Sequence, residues 1–387
     1  MEQWKSNEYT LHFNFLYLIG MKKYLILFCS LFLFCNFLFS KNEVNVYENN
    51  EDTLSLIFAG DIMGHSPQFK AAYNPKTKLF NYDICFQNVR KYIESTDIAI
   101  VNLEVPLAGK PFSGYPNFSS PDALLDGLKT AGYDIILTAN NHALDCGKKG
   151  LERTINVIKN RNLLFAGSYI DKTQRDSIYP LVIEKKGVKI AFLNCTYGTN
   201  AYKPLLPNIV NYLDSIQIKN DILKVKAKGV DFIVMTVHWG TEYELQSNDF
   251  QKKYANFFTR NGINLIIGGH PHVVQNADYL IGNDSNKVPV FYSLGNSISN
   301  QRQPNTDGGI MVKVQIGTKS KHIIKTSFLP VYVYKGVLNK VFQYHLIPTT
   351  DYLKKSIKYP INQSDKNSLL YFDKLTKFRL SNFDVFE

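Results

Sequence analysis

A chain of 387 residues with 45% hydrophobic content can bury a large core, which excludes disorder as a whole-chain state and suits one large α/β domain or two smaller ones. The formal net charge of +11 is carried by scattered lysines, in short runs such as Lys185-Lys186 and Lys354-Lys355, without an Arg-rich block or an RNA-binding aromatic signature. A solvated basic surface is the plain reading, and no nucleic-acid partner is expected.

At the N-terminus, Met21-Lys22-Lys23 precedes an apolar run from Tyr24 to Phe39 that ends at Ser40-Lys41-Asn42. These are the basic, apolar and small-residue parts of a secretory signal, so export to the periplasm, the cell envelope or the extracellular face is expected, with Met21 as the expected start. Residues 1–40 thus read as an N-terminal extension and signal sequence. An uncleaved membrane anchor is the alternative, since Leu38 is large for the position three before a cut after Ser40, although a span of this length is marginal for a membrane helix. Cys29 and Cys35 lie in this run; Cys85, Cys146 and Cys195 form an odd, widely spaced trio that sets no disulfide framework and leaves one bridge open.

A polar linker, 41–53, leads into short apolar runs that read as buried strands: Leu54–Ala59, Ile98–Leu103, Ile135–Thr138, Lys189–Asn194, Phe232–His238, Leu265–Gly268 and Val290–Ser293. Amphipathic stretches at Asn81–Glu94, Pro121–Ala131, Lys148–Lys159, Asn208–Lys228 and Asp249–Asn261 read as helices between them. The alternation predicts an α/β domain over 54–300, with crossover connections and a sheet covered by helices. Residues 301–350 read as antiparallel strands completing that domain, and 351–387 as a helix and a polar tail.

Polar residues cluster where the strands end: Asp61, Glu104, Asn141-His142, His238, and His270 with His272. Ligands of open α/β sheets bind at the carboxyl ends of strands, so these residues can converge there. Carboxylates, an asparagine, a lone histidine and a His-x-His pair are the hard oxygens and imidazoles that a two-metal hydrolytic centre uses. Each alone has an ordinary reading, as turn former, helix cap or hydrogen-bonded rim histidine. Five motifs in this order are hard to obtain from turn chemistry.

The motifs Gly60-Asp61-Ile62-Met63, Asn102-Leu103-Glu104, Ala139-Asn140-Asn141-His142-Ala143-Leu144-Asp145, His238-Trp239-Gly240-Thr241-Glu242, Gly269-His270-Pro271-His272-Val273-Val274-Gln275 and Tyr292-Ser293-Leu294-Gly295-Asn296 together resemble one group. It is the CapA-type capsule-biosynthesis (poly-γ-glutamate synthesis) family of the calcineurin-like metallophosphoesterase superfamily. The resemblance implies a layered α/β/β/α sandwich with mixed sheets. It implies one or two divalent ions of Mn, Fe or Zn type, with Asp61 and His272 on one, Asn141, His238 and His270 on the other, and Glu104 bridging. It makes His142 the proton donor to the leaving group, oriented by Asp145.

The chain departs from the wider superfamily at Met63, where a histidine is usual, at Glu104, where aspartate is usual, and at Asn140, where glycine is usual. A thioether is a poor ligand for hard ions, so the first position is short of a donor unless His65 or water substitutes. Glu242 reads as a solvated residue or an orienter of the histidines, Trp239 as a packing residue or a substrate wall, and Asn296 as a loop residue able to reach the site.

The implied function is an exported metal-dependent hydrolase of capsule or poly-γ-glutamate biosynthesis or processing. Its expected partners are an anionic capsular polymer such as poly-γ-glutamate, a membrane polymer synthase and, through an uncleaved segment, the membrane. Two further readings stand beside it: a non-catalytic assembly partner of such a synthase, and a generic phosphodiesterase.

Overall fold

Strands that read as unbroken apolar runs must be covered on both faces, and the fold achieves this with two stacked sheets and flanking helices. The computed structural model describes residues 51–200, 202–283, 285–338 and 340–386. The expected signal or anchor, and the linker up to residue 50, lie outside the described residues. Among the described residues, no helix is long and apolar enough to cross a membrane.

In chain order the sheets are built from β1 (Thr53–Ile62), β2 (Ile98–Leu103), β3 (Ile135–Leu137), β4 (Leu164–Ala166), β5 (Leu181–Lys185), β6 (Val188–Thr196), β7 (Phe232–His238) and β8 (Leu265–Gly269). They continue with β9 (Ala277–Ile281), β10 (Lys287–Phe291), β11 (Asn296–Ile298), β12 (Gly308–Gly317), β13 (Ile323–Leu338), β14 (Val341–Pro348) and β15 (Asp384–Val385). The first sheet has the order β14-β13-β12-β1-β2-β3-β4, with β11 pairing the end of β1 and β15 pairing β13. Strands β1 to β4 run parallel, whereas β12 to β14 form an antiparallel meander beside β1. The second sheet, β9-β10-β8-β7-β6-β5, is parallel through its four central strands and antiparallel at both edges. The mixed sheets implied by the resemblance are therefore present.

Helical stripes cover the sheets. Leu151, Ile155 and Ile158 share one face of Gly147–Asn160, and Ile218, Ile222 and Val225 share one face of Ser215–Ala227, all buried at the i, i+4, i+7 spacing of a helix.

Several expectations change. The apolar runs divide between two sheets, because periodicity marks a strand as buried without naming its neighbour. The half-exposed edge strands β5 and β9, whose apolar runs are broken by charged residues, and β4, only three residues long, escape notice. The helix predicted over 81–94 is two short helices, Asp83–Phe86 and Arg90–Glu94. The helix predicted from 208 begins at Ser215, where the Asp214 carboxylate accepts from the Ile216 and Gln217 amides. The polar tail ends instead in β15, with Phe383 buried beside it. The three cysteines of the folded part are free.

The seam where β1 meets β2 and β11 is tight at its carboxyl end. β1 shifts register against β2 between Ala59 and Asp61, which sets Asp61 level with Asn102 on one side and Asn296 on the other. A Cβ at Gly60 would lie 2.0 Å from the Gly295 carbonyl oxygen. Gly60→Ala is therefore expected to destabilise the fold by about 1–3 kcal/mol, read as a lower urea midpoint at unchanged m.

Candidate metal centre

The strand ends deliver their side chains to one buried point. At the end of β1, Asp61 Oδ1 accepts from Asn102 Nδ2 at 2.8 Å and Oδ2 from the His270 amide at 3.1 Å. Just past β2, Glu104 is fully buried, and neither carboxylate oxygen has a hydrogen-bond partner. The loop after β3 brings Asn140, Asn141 and His142. Asn140 Nδ2 donates to Asn102 Oδ1 at 3.1 Å and to the Leu103 carbonyl at 2.9 Å, so the polar end of β2 is tied to this loop. β7 ends on His238, and the turn after β8 carries His270 and His272, both buried and both at positive φ, +98° and +57°. Left-handed backbone costs a non-glycine residue roughly 1–2 kcal/mol, so the surrounding bonds hold this turn against its own preference.

Two donor groups result. Glu104, His238 and His270 each offer a ligand atom within 4.8 Å of the others, and so do Asp61, Glu104 and His272. Glu104 belongs to both. Its Oε1 lies 3.2 Å from His238 Nε2 and 3.8 Å from His272 Nε2. Asn141 Oδ1 sits 2.9 Å from His238 Nε2 and so extends the first group, while Asp61 Oδ2 is 3.5 Å from His272 Nδ1. The structure thus brings together Asp61, Glu104, Asn141, His238, His270 and His272.

Burial raises the Glu104 carboxyl well above its ordinary range, and the neighbouring Asp61 charge adds to this. Burial also pushes Asp61 up, but the hydrogen bond with His272, the His238 and His272 charges and the Asn102 amide together hold it well below the usual carboxylate range. His238 falls to about 4 through burial, opposed by the Asp61 charge. His270 is lowered further, by burial and then by the adjacent imidazoles. These two rings are held neutral, the form that ligates. For His272, burial is outweighed by Glu104 and by the Asp61 hydrogen bond and charge, and its pKa is raised.

The donor set fits divalent cations. A buried carboxylate without a partner, the unpartnered His270 Nδ1 and a mixed oxygen and imidazole shell are costly arrangements for a protein alone. A cation satisfies them together.

His142 stands beside the groups. Its Nδ1 lies 2.7 Å from Asp145 Oδ2, which also accepts from the Phe118 amide at 2.9 Å, and the Phe118 ring meets the imidazole edge-on. Met63 is buried, with its amide on the Ile298 carbonyl and its carbonyl taking a bond from Gln68. His65 Nδ1 lies 3.1 Å from Gln68 Oε1, and His65 joins neither donor group. Trp239 is fully buried, stacked between Phe258 and Tyr292, and is a packing residue. Glu242 is exposed.

Three further residues act here without a role in the sequence reading. Asn102 binds Asp61, and the signal for it was a polar side chain inside an otherwise apolar run. Asn200 accepts from Asn141 Nδ2 at 3.3 Å, and Tyr197 lies against His270 with ring centroids 4.6 Å apart. Both stand in a loop with no pattern to read.

Residues 55–301 match the family described as bacterial capsule synthesis protein PGA_cap, and the chain belongs to that family. The capsule biosynthesis protein CapA of Bacillus anthracis is 27% identical over 75% of this chain and 70% of its own. The PGA biosynthesis protein CapA of Bacillus subtilis (strain 168) is 28% identical over 69% of each. Among solved structures, the calcineurin-like phosphoesterase YfkN from Bacillus subtilis aligns with a TM-score of 0.40 at 15% identity, covering 84% of this chain and 98% of that one.

A cation that loads both groups should stabilise the fold by about 2.7 kcal/mol at a hundred times its Kd. Thermal unfolding in rising Mn2+ should therefore show an increasing midpoint, and Glu104→Ala should remove most of that increase.

Proposed function

We propose that this chain is an exported, metal-dependent hydrolase of capsule or poly-γ-glutamate biosynthesis or processing. The observation that carries the reading is the pair of buried donor groups sharing Glu104, whose carboxylate oxygens accept no hydrogen bond. Family membership supports the capsular context, and the signal-like segment at Met21–Ser40 supports export.

In this reading Asp61, Glu104 and His272 would hold one divalent ion of Mn, Fe or Zn type, and Glu104, Asn141, His238 and His270 a second. When bound, such ions acidify water and polarise the substrate oxygen. The chain's own residues do the rest. Asp145 accepts at His142 Nδ1, which turns Nε2 to the task of giving a proton to the leaving atom. Phe118 fixes that pair from the side, through its ring on His142 and its amide on Asp145. The basic surface favours a polyanion, and the ligand set serves a phosphodiester or a γ-glutamyl amide.

A non-catalytic partner of a membrane polymer synthase is the second reading, and Met63 favours it, since a thioether leaves the Asp61 side short of a donor. Elemental analysis of the purified protein, paired with a polymer-cleavage assay, separates the two. The hydrolase reading expects bound metal, with His142→Ala lowering turnover about 10²–10⁴-fold while that metal is retained. Metal-free protein, or cleavage unchanged in the variant, defeats it.

A further inference from the structure

We propose that Asn296 selects the ring nitrogen that His272 presents to the metal, acting as a positioning residue for the Asp61–Glu104–His272 group. The inference rests on the metal-binding reading of that group. Asn296 opens β11, is fully buried, and stands in register with Asp61 on β1. Its side-chain nitrogen lies 3.2 Å from the His272 carbonyl, 2.8 Å from the Thr306 carbonyl and 2.8 Å from Gln301 Oε1. Two of these are backbone carbonyl oxygens, which only accept. A flipped amide would set oxygen against oxygen there, so the amide orientation is decided by the backbone.

The other end of the amide follows. Asn296 Oδ1 lies 3.2 Å from His272 Nδ1 and can only accept, so Nδ1 carries the proton. Asp61 Oδ2, at 3.5 Å from the same nitrogen, adds a weaker acceptor on that side. The lone pair is then on Nε2, which is the ring nitrogen that lies 3.8 Å from Glu104 Oε1. Partners of this kind fix the tautomer and orientation of ligating histidines.

Asn296 also holds the backbone of the residue it orients. It takes the ring proton of His272 and donates to the carbonyl of His272, while that residue sits at φ +57°. One buried amide therefore grips both ends of a ligand held in an unfavourable conformation. Gln301 and Thr306, on the segment between β11 and β12, lock the amide in turn.

The test uses ¹⁵N-labelled full-length protein stripped of metal by a chelator. Long-range ¹H–¹⁵N correlation at alkaline pH reads the imidazole tautomers, with His272 assigned by comparison with His272→Gln. The expected result is His272 protonated at Nδ1; protonation at Nε2 overturns the proposal and needs no Asn296 variant. Asn296→Leu should lose the tautomer preference and weaken one of the metal equivalents about 10–100-fold in a Zn2+ titration. Asn296→Asp keeps an acceptor for Nδ1 but meets the Thr306 carbonyl with oxygen. It should lose thermal stability yet bind that equivalent no more weakly than wild type. If both variants lose metal in step with stability, Asn296 is only a packing residue and the proposal fails. Wild-type protein that takes up no cation while showing Nδ1–H defeats the metal-binding reading and leaves the tautomer assignment intact.

Discussion

A carboxylate buried without a partner is the constraint around which this fold is organised. Glu104 lies where two sheets meet, its oxygens unbonded, with the Asp61 carboxylate and three imidazoles as neighbours. Isolated burial of such a charge costs far more than a folded domain has to spare. Burial and the Asp61 charge push its pKa well above the ordinary range, and the surrounding imidazoles leave a donor set that a cation would complete. Each surrounding device then becomes intelligible: Asn102 spans Asp61 and Asn140, the His270 amide faces Asp61, and Asp145 steadies His142.

Holding those groups together demands close backbone approach. Within the first sheet Gly60 lies against Gly295, and the two sheets approach at Gly269, where a Cβ would lie 2.8 Å from Asp61 Oδ1. The turn after β8 delivers two imidazoles from residues two apart by accepting left-handed backbone at both. That strain is local, and the bonds that restrain it belong to the same residues that shape the centre. Stability and site geometry are accordingly coupled here: loosening the seam moves the ligands, and removing a ligand partner loosens the seam.

Much of the centre was legible because its residues are chemically out of place. Asp61, Glu104, His238 and the His270–His272 pair stand at the ends of apolar runs, where nothing about packing calls for charge, and strands of one α/β layer gather their carboxyl ends. Pairing was less legible. The central strands of both sheets are equally apolar, so β6 to β8 look no different from β1 to β3, and the division into two sheets depends on contacts between residues far apart in sequence. Edge strands such as β5 and β9 alternate weakly, and Asn200 and Tyr197 act from an irregular loop. A loop residue leaves no periodic trace, so its part in the site appears only when the backbone closes over it.

The two donor groups are chemically unequal. Glu104 is shared, which leaves two imidazoles and the Asn141 amide oxygen on one side, against one imidazole and the Asp61 carboxylate on the other. Imidazole-rich sites favour borderline ions such as zinc, whereas carboxylate-rich sites suit harder ions. Met63, close after Asp61 in the chain, adds no hard donor to the smaller group, since a thioether suits soft ions. Should both groups take cations, the His238–His270 side would present the larger donor set and the Asp61–His272 side the smaller. With a single imidazole to work with, the orientation of His272 matters more than that of either ring on the other side, and the buried amide of Asn296 is spent on that ring.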